Sequence, residues 1–532
     1  MSNRAEENSE TQARKRFLGP CLLVAPIMEP NSMRFLARTL RAGSVLSLLV
    51  ASVVSHAQTS SPTGSPLSGG LLMARAIHSG NVKLHELPLS RTLTTAITCT
   101  PAPCVMKNAQ ASNGTQPVND TPVAVNPANS SQVATGGNDY NCATLQGFYA
   151  SGNGGASFHH KCLAIANSSY TGGGDPVVAY DHTNNLFVGG IDCLTASCAS
   201  TVIVIAKSTN NGVSFAAPIV AVNPLFPGGL ADKPWLAIDT NTGSPHLNTL
   251  YISTTQFDTN SNSSIAMSHS ANGGTTWSPP VALDSLQTFP SVDQFSDIAI
   301  GKDGTVYVTW LRCTSNGSGC GDTSASMMFS KSSDGGNTWT APSLITTVLL
   351  APNFCGAFFG CLPNSFERVS NVPVIGVDNS TTHAGYLYVA MYSYHTITSQ
   401  MLVQVVHSTN GGSIWSAPVA VAPSTATGDE FFPWLSVSST GLVGVSWLDR
   451  RNDPSNLSYM TYAATSTPGG TSFSSNNFQI AAAASNPLND GFGGNFMGDY
   501  TGNMWGGVKL YITWPDTRNG IVAVDEIGGY LK

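Results

Sequence analysis

The chain has 532 residues, of which 42% are hydrophobic and 10% charged, with 52 glycines and a formal net charge of −7. That composition supplies enough apolar material for a large core and too little charge for a disordered chain, and its acidity argues against a nucleic-acid partner. Richness in Gly, Ser, Thr and Asn with few helix formers points to an all-β fold.

Met33 opens a second plausible start. Arg34, Arg38 and Arg41 precede the apolar run 42–54, and Ser55-His56-Ala57 supplies a small-x-small cleavage site before Gln58. This is the layout of a secretory signal, and the run is well short of the ~20 residues a membrane span needs. Residues 1–57 are therefore read as an N-terminal extension and signal peptide, with 1–32 either an artefact of start choice or a long leading region. Cleavage would take away seven Lys/Arg and four Asp/Glu and move the net charge from −7 to −10. It would also remove Cys21 and leave ten cysteines, an even number suited to an oxidising periplasmic or extracellular compartment. Cys99 with Cys104, Cys193 with Cys198, Cys313 with Cys320 and Cys355 with Cys361 lie close in sequence, so Cys142 and Cys162 pair by elimination. No Cys-x-x-Cys pair or neighbouring His cluster is present, so neither a metal nor a cofactor is expected.

Residues 58–119 read as a Ser/Thr/Pro-rich linker in which 71–77 and 82–87 are candidate strands. From 120 to 532 one unit recurs. Its first strand reads 122–126, 176–181, 234–239, 296–301, 373–378, 433–438 and, less clearly, 497–500, several opening on Pro as a first strand position allows. A second strand follows at 132–139, 186–192, 249–256, 305–312, 386–393, 442–449 and 509–516, β-branched, aromatic and near-alternating. A third strand leads into a turn and a fourth leaves it. Seven units can be counted, the last lacking its turn and fourth strand, and a strand from within 71–87 is expected to close it.

The turn is clearest at Ser332-Ser333-Asp334-Gly335-Gly336-Asn337-Thr338-Trp339, with further copies at 151–158, 208–218, 270–279, 408–418 and 466–473. Each combines an Asx-type turn with a glycine at positive φ and one aromatic plug. Those aromatics, Phe158, Phe215, Trp277, Trp339, Trp415 and Phe473, recur at intervals of 57, 62, 62, 76 and 58 residues, the period of a small sheet copied many times. The motif resembles the Asp box (BNR repeat) of sialidase-like β-propellers, with Asn272, Asn410 and Pro468 where that family prefers Asp. The resemblance implies a propeller of four-stranded antiparallel blades. Seven are counted here; characterised sialidases have six, which is the alternative.

In such a blade the repeated turn lies on one face of the disc, and second-strand ends and first-strand entries lie on the other, the top. Second-strand ends place Asp139, Asp192, Gln256, Arg312, Ser393, Asp449 and Asp516 there. The entries add Asp175, Asp232, Lys233, Asp293, Arg368, Glu430, Asp499 and Tyr500. Five of the seven arginines of the processed chain, Arg312, Arg368, Arg450, Arg451 and Arg518, fall on this face. They are either structural ion pairs, Asp449 with Arg450 and Asp516 with Arg518, or a cluster that grips a ligand carboxylate. Sialidases hold the sugar carboxylate in an arginine triad, use a Tyr–Glu pair as nucleophile and an Asp as acid/base. The resemblance thus implies Arg312, Arg368 and Arg450 or Arg518 as substrate-binding residues, Tyr500 as nucleophile with Glu430 as its base, and Asp232 or Asp293 as the acid. The family's Arg-Ile-Pro motif is absent, and no arginine falls between Arg91 and Arg312. His159-His160 reads as a surface or packing feature.

Two functional classes stay open. One is a secreted, exo-acting, sialidase-like glycosidase on acidic sugars; the other is a non-catalytic BNR propeller that binds glycans or proteins. The expected partner is a glycan at the top face, with no nucleic acid, no membrane span after signal cleavage, and a monomeric state.

Overall fold

Each repeat unit folds as one antiparallel sheet because its strands are short, rich in Val, Ile, Tyr and Thr, and joined by turns that reverse the chain. The computed structural model describes residues 64–88, 97–467, 469–470, 472–473 and 477–532, so the signal sequence read within 1–57 lies outside the described residues. Seven sheets follow one another in a ring. Blade 1 comprises Val118–Asn119 and Val123–Val125, Val133–Asp139, Gln146–Ser151 and His159–Cys162. Blade 2 comprises Thr171–Tyr180, Leu186–Cys193, Thr201–Ser208 and Ile219–Val222, and blade 3 Leu230–Ile238, Leu250–Phe257, Ser263–Ser270 and Val281–Ala282. Blade 4 runs through Ser291–Ile300, Val306–Thr314, Ser324–Ser332 and Ser343–Leu349, and blade 5 through Val374–Val377, Leu387–His395, Gln400–Ser408 and Val419–Ala420. Blade 6 is built from Glu430–Val437, Val443–Asp449, Met460–Thr465 and Phe478–Gln479. Blade 7 takes Gly502–Gly506, Lys509–Asp516 and Val524–Leu531 from the C-terminus. The fold is a seven-bladed β-propeller.

The closing strand is Cys104–Gln110, which pairs antiparallel with Val524–Leu531 and makes Cys104 the neighbour of Leu531. It comes from the other end of the chain, as expected, but not from 71–87. The stretch read as a strand at 71–77 is instead a helix, α1 (Gly69–His78), capped by Ser68, whose hydroxyl accepts from the Leu71 amide. The last inner strand is Gly502–Gly506 rather than 497–500, which form part of the loop entering it. Second strands such as Leu186–Cys193 and Leu250–Phe257 are buried at every position, because each blade is covered on both faces by its neighbours. Near-alternation therefore does not carry over into alternating exposure.

The repeated turn has one geometry in blades 1 to 5, whereas in blade 6 the Ser466 hydroxyl donates to the Thr467 carbonyl (2.8 Å) and Pro468 lies outside the described residues. In blade 4 the Gly336 amide donates to Ser332 Oγ (2.9 Å), Ser332 Oγ donates to Asp334 Oδ1 (2.8 Å), and that oxygen accepts from the Thr338 amide (2.9 Å). Asn410 does the same work in blade 5, accepting from Ser408 Oγ and from the Ile414 amide. An amide oxygen suffices for these bonds, and the second atom adapts: Asp334 Oδ2 accepts from Thr338 Oγ1 (2.6 Å), where Asn272 Nδ2 donates to Thr276 Oγ1 (2.8 Å). The second turn glycine also packs on the preceding blade: Gly412 has φ +86°, and a Cβ there would lie 2.4 Å from the Phe329 ring. All ten described cysteines are disulfide-bonded in the five expected pairs.

Candidate functional site

The inner strands do not run straight to the top face. Pairing slips between Gly174 and Val177 in blade 2, Asp232 and Trp235 in blade 3, Gln294 and Asp297 in blade 4, and Phe431 and Trp434 in blade 6. At these bulges Asp175, Lys233, Phe295 and Phe432 take positive φ, and Asp120 does so at the matching break in blade 1. Positive φ is costly for residues with side chains, and a bulge re-aims them. Here the bulges turn polar groups from different blades onto one axis.

Contacts between non-adjacent blades mark that axis. Lys233 Nζ of blade 3 sits 3.7 Å above the Tyr500 ring at the entry to blade 7, and Trp235 packs on Trp434 of blade 6 with ring centroids 4.7 Å apart. Around them stand Asp120, Asp175, Asp232 and Asp499, all fully buried. Asp232 accepts from Gln294 Nε2 (2.9 Å), Asp120 accepts from Asn138 Nδ2 (2.6 Å) and from the Asp499 amide, and Asp499 pairs with Arg368 Nε at 2.8 Å. The Tyr500 hydroxyl donates to the Pro176 carbonyl (2.9 Å), and Ser370 Oγ donates to the Asp499 carbonyl. Burial pushes the Asp120 carboxyl up to about 7, with Asp499 adding to the effect. Burial raises Asp175 well above the usual carboxylate range, reinforced by Asp232 and Asp120, and holds the Tyr500 phenol neutral. Neither Asp175 oxygen accepts a well-formed hydrogen bond, although the Ser68 hydroxyl lies beside it, and Lys233 Nζ has no hydrogen-bond partner.

This end of the axis is filled by the chain itself. Ser68 donates from its amide and its hydroxyl to Asp232 (2.8 and 2.7 Å), the Gly69 amide donates to Asp499 (2.6 Å), the Pro66 carbonyl accepts from Gln294 (2.8 Å), and the Leu67 carbonyl accepts from Arg368 (3.4 Å). The N-terminus of α1, with its positive end charge, faces the carboxylates. Further along, Arg75 donates to the Cys198 carbonyl (2.7 Å) and the His78 ring nitrogen contacts the Gly172 carbonyl (2.8 Å), fixing the helix to the top of blade 2.

The structure thus gathers Tyr500, Asp232 and Arg368 at the axis, together with the first-strand entries Asp175, Lys233 and Asp499, and places Arg312, Asp293, Glu430, Arg450 and Arg518 elsewhere. Arg312 is held by Asp293 (2.7 Å) and Asp284, and burial pushes Asp293 up to about 6. Glu430 accepts from the Val403 amide (2.8 Å) and is pushed up to about 8 by burial, with Asp449 the next cause. Arg450 is fully buried, donates to the Pro363 carbonyl (2.5 Å), stands 3.5 Å from Asp429, and is lowered to about 10 by burial. Asp449 is therefore the partner of Arg451 (2.9 and 2.5 Å), not of Arg450. Arg518 grips Asp516 (2.8 and 2.5 Å) as the sequence suggested. Both carboxylates also accept from an indole two residues upstream, Trp447 (2.6 Å) and Trp514 (2.8 Å), so blades 6 and 7 repeat one loop-fixing device.

Asp120 escaped the sequence reading, yet aligning Asp120-Thr121-Pro122 with Asp175-Pro176 places both carboxyls at one point of the unit. Asp490 was also missed. Its carboxylate accepts from the amides of Phe492, Gly494, Asn495 and Phe496 and so shapes the loop that carries Phe496 toward Gly69. His160 bonds to Asp139 (2.9 Å) and stacks on Tyr149, a packing role. The two groupings of His with Cys, His78 with Cys193 and Cys198 and His160 with Cys142 and Cys162, have their sulfurs in disulfides and offer no thiolate to a metal.

No protein-family model matches the sequence, and no curated protein matches it. Among solved structures the chain is similar to a polysaccharide lyase, an ulvan lyase (11% identity, 78% of this chain and 94% of that one, TM-score 0.46). It is also similar to an α-L-arabinanase of Penicillium chrysogenum (12% identity, 67% and 92%, TM-score 0.44) and to a Hadza microbial sialidase (12% identity, 75% and 73%, TM-score 0.41). At these identities and scores the likeness carries nothing about activity.

Proposed function

We propose that this propeller is a secreted glycan-acting protein of the sialidase-like, Asp-box kind, working at the axial end of its top face as a glycoside hydrolase. The observation that carries the reading is the convergence there of Asp120, Asp175, Asp232, Asp499, Arg368, Lys233 and Tyr500 from five parts of the ring. Asp120 and Asp175 are biased toward holding a proton, as the acid of glycoside hydrolysis must be, and stand beside the further carboxyls of Asp232 and Asp499. In this proposal Tyr500 is the nucleophile, Asp499, rather than the distant Glu430, takes its proton, and Asp120 or Asp175 is the acid. Asp232 remains an acid candidate. Arg368 and Lys233 are the cations available to an acidic sugar, in place of a three-arginine grip. The five disulfides suit export, and among the described residues no helix is long and apolar enough to cross a membrane.

A second reading, a non-catalytic glycan-binding propeller, is favoured by one observation: Arg312, Arg368, Arg451 and Arg518 each already carry a carboxylate partner at 2.8 Å or less. A fluorogenic sialoside and a panel of neutral aryl glycosides, assayed from pH 4 to 8 on the wild type, Tyr500→Phe and Arg368→Ala, separate the two. The hydrolase reading expects turnover that both substitutions abolish. Absence of turnover both in the intact chain and after residues 66–69 are displaced from the axis, with Arg368-dependent binding on a glycan array, selects the second reading.

A further inference from the structure

Helix α1 stands where a ligand of the axial site would stand, and its contacts are those of a ligand. Every polar group of residues 66–69 that meets the axis addresses a polar side chain: two carbonyls take Gln294 and Arg368, and two amides and a hydroxyl take Asp232 and Asp499. The close approach depends on two glycines. A Cβ at Gly69 would meet the Phe496 ring at 2.2 Å, and one at Gly70 would meet the Asp175 carboxylate at 2.1 Å. Yet the fit is incomplete. Asp175 and Lys233 stay buried with polar atoms unsatisfied beneath the helix.

Its place in the chain separates α1 from the ring. The segment belongs to no blade. The chain leaving it is exposed at Ser79, Gly80, Asn81, Lys83, His85 and Glu86, while the closing strand starts only at Cys104, stapled upstream by the Cys99–Cys104 disulfide. A cut within 79–86 leaves all seven blades intact. The buried face of α1, with Leu71, Leu72, Met73, Ala74 and Ala76, holds it in place while it is tethered, when its effective concentration is in the millimolar range or above.

We propose that residues 64–80 are an autoinhibitory segment that keeps the axial site closed until the chain is cut within 79–86 by an endopeptidase, with one water consumed for the peptide bond hydrolysed. The groups it satisfies describe the ligand it displaces: a polyhydroxylated molecule that gives hydroxyl donors to Asp232 and Asp499 and an acceptor to Arg368. The ligand's identity as a glycan rests on the function proposed above; the occupancy does not.

The test is a full-length variant with a site-specific protease sequence inserted between Gly80 and Asn81. After cutting, mass spectrometry of the gel-filtered protein reports whether the segment leaves, far-UV circular dichroism reports the blades, and a synthetic peptide of residues 64–80 is titrated back against tryptophan fluorescence. The same aryl glycosides and sialoside are assayed before and after cutting. The proposal expects release with the β signal unchanged, saturable rebinding weakened by Asp232→Asn, and glycoside turnover or binding that rises by about tenfold or more on cutting and is suppressed competitively by the peptide. Gly70→Val in the uncut chain, which drives the helix off Asp175, should give the same rise. A segment that stays bound after cutting, or leaves only with loss of the β signal, overturns the proposal, as does measurable turnover that is equal before and after release. Release and saturable rebinding with no glycoside bound or turned over would uphold the segment as a removable occupant and refute the glycan reading alone.

Discussion

Ser332, Asp334 and Gly336 divide the labour of the repeated turn unequally. Asp334 supplies an acceptor that asparagine supplies in other copies, so Asp334→Asn should change stability at neutral pH by no more than about 0.5 kcal/mol. Ser332→Ala orphans the buried Gly336 amide and should cost about 1–2 kcal/mol. Gly412→Ala, with φ +86° and a ring 2.4 Å from the new Cβ, should cost about 2 kcal/mol or more. Chemical denaturation of the three variants checks the order. Glu430 gives a pH signature. Its carboxyl is raised in the fold to about 8 from an unfolded value near 4.5, so the native state binds the extra proton. Stability contributed by that proton is present below about pH 4.5 and is lost as pH rises toward 8. Glu430→Gln should therefore leave Tm nearly unchanged at pH 4.5 and raise it relative to wild type at pH 8.5. A lower Tm for the variant at pH 8.5 would show that Glu430 is stabilised as an anion.

The elements were legible to the extent that they repeat. Second strands were found within two residues in all seven blades, because each is a β-rich run buried on both faces, and the turns were found because Ser, Asp or Asn, and Gly are fixed by hydrogen bonds and positive φ. The single-copy pieces were misread. Residues 71–77 looked like a strand by apolar content, yet Leu-Leu-Met-Ala-Arg-Ala is a run of strong helix formers behind a Ser cap, and that cue outweighs two glycines at the first turn. The closing strand Cys104–Gln110 carries one fully buried apolar side chain, Met106, and so lacks the pattern of a core strand. The axial site was half legible. Asp232, Arg368 and Tyr500 were picked out by position in the unit, whereas the separation of Glu430, Arg312 and Arg450 from them depends on which blade each side chain leans against. Trp339 illustrates the turn's hold on the blade. Its indole donates to the Gly336 carbonyl (3.2 Å) and its ring is half-buried, so Trp339→Ala should cost about 2 kcal/mol, less than a fully buried tryptophan, with the axial contacts intact.

At the scale of the whole molecule the ring and its plug are held by different means. The ring closes through Cys104–Gln110 on Val524–Leu531, and its top-face loops are fixed by short disulfides and carboxylate–arginine pairs. The plug is held by a few hydrogen bonds to axial side chains and one apolar helix face. The seven-bladed ring with an axial site occupied by α1 is thus most directly tested by amide hydrogen exchange at Ser68, Gly69 and Leu71. Those three amides donate to Asp232, Asp499 and the Ser68 hydroxyl. In the intact protein they should exchange far more slowly than the exposed Gly80 and Asn81 amides, and Asp499→Ala should speed Gly69 without touching the second strands. Rapid exchange at Ser68 and Gly69 in the wild type, equal to that of Gly80, would contradict the occupied site.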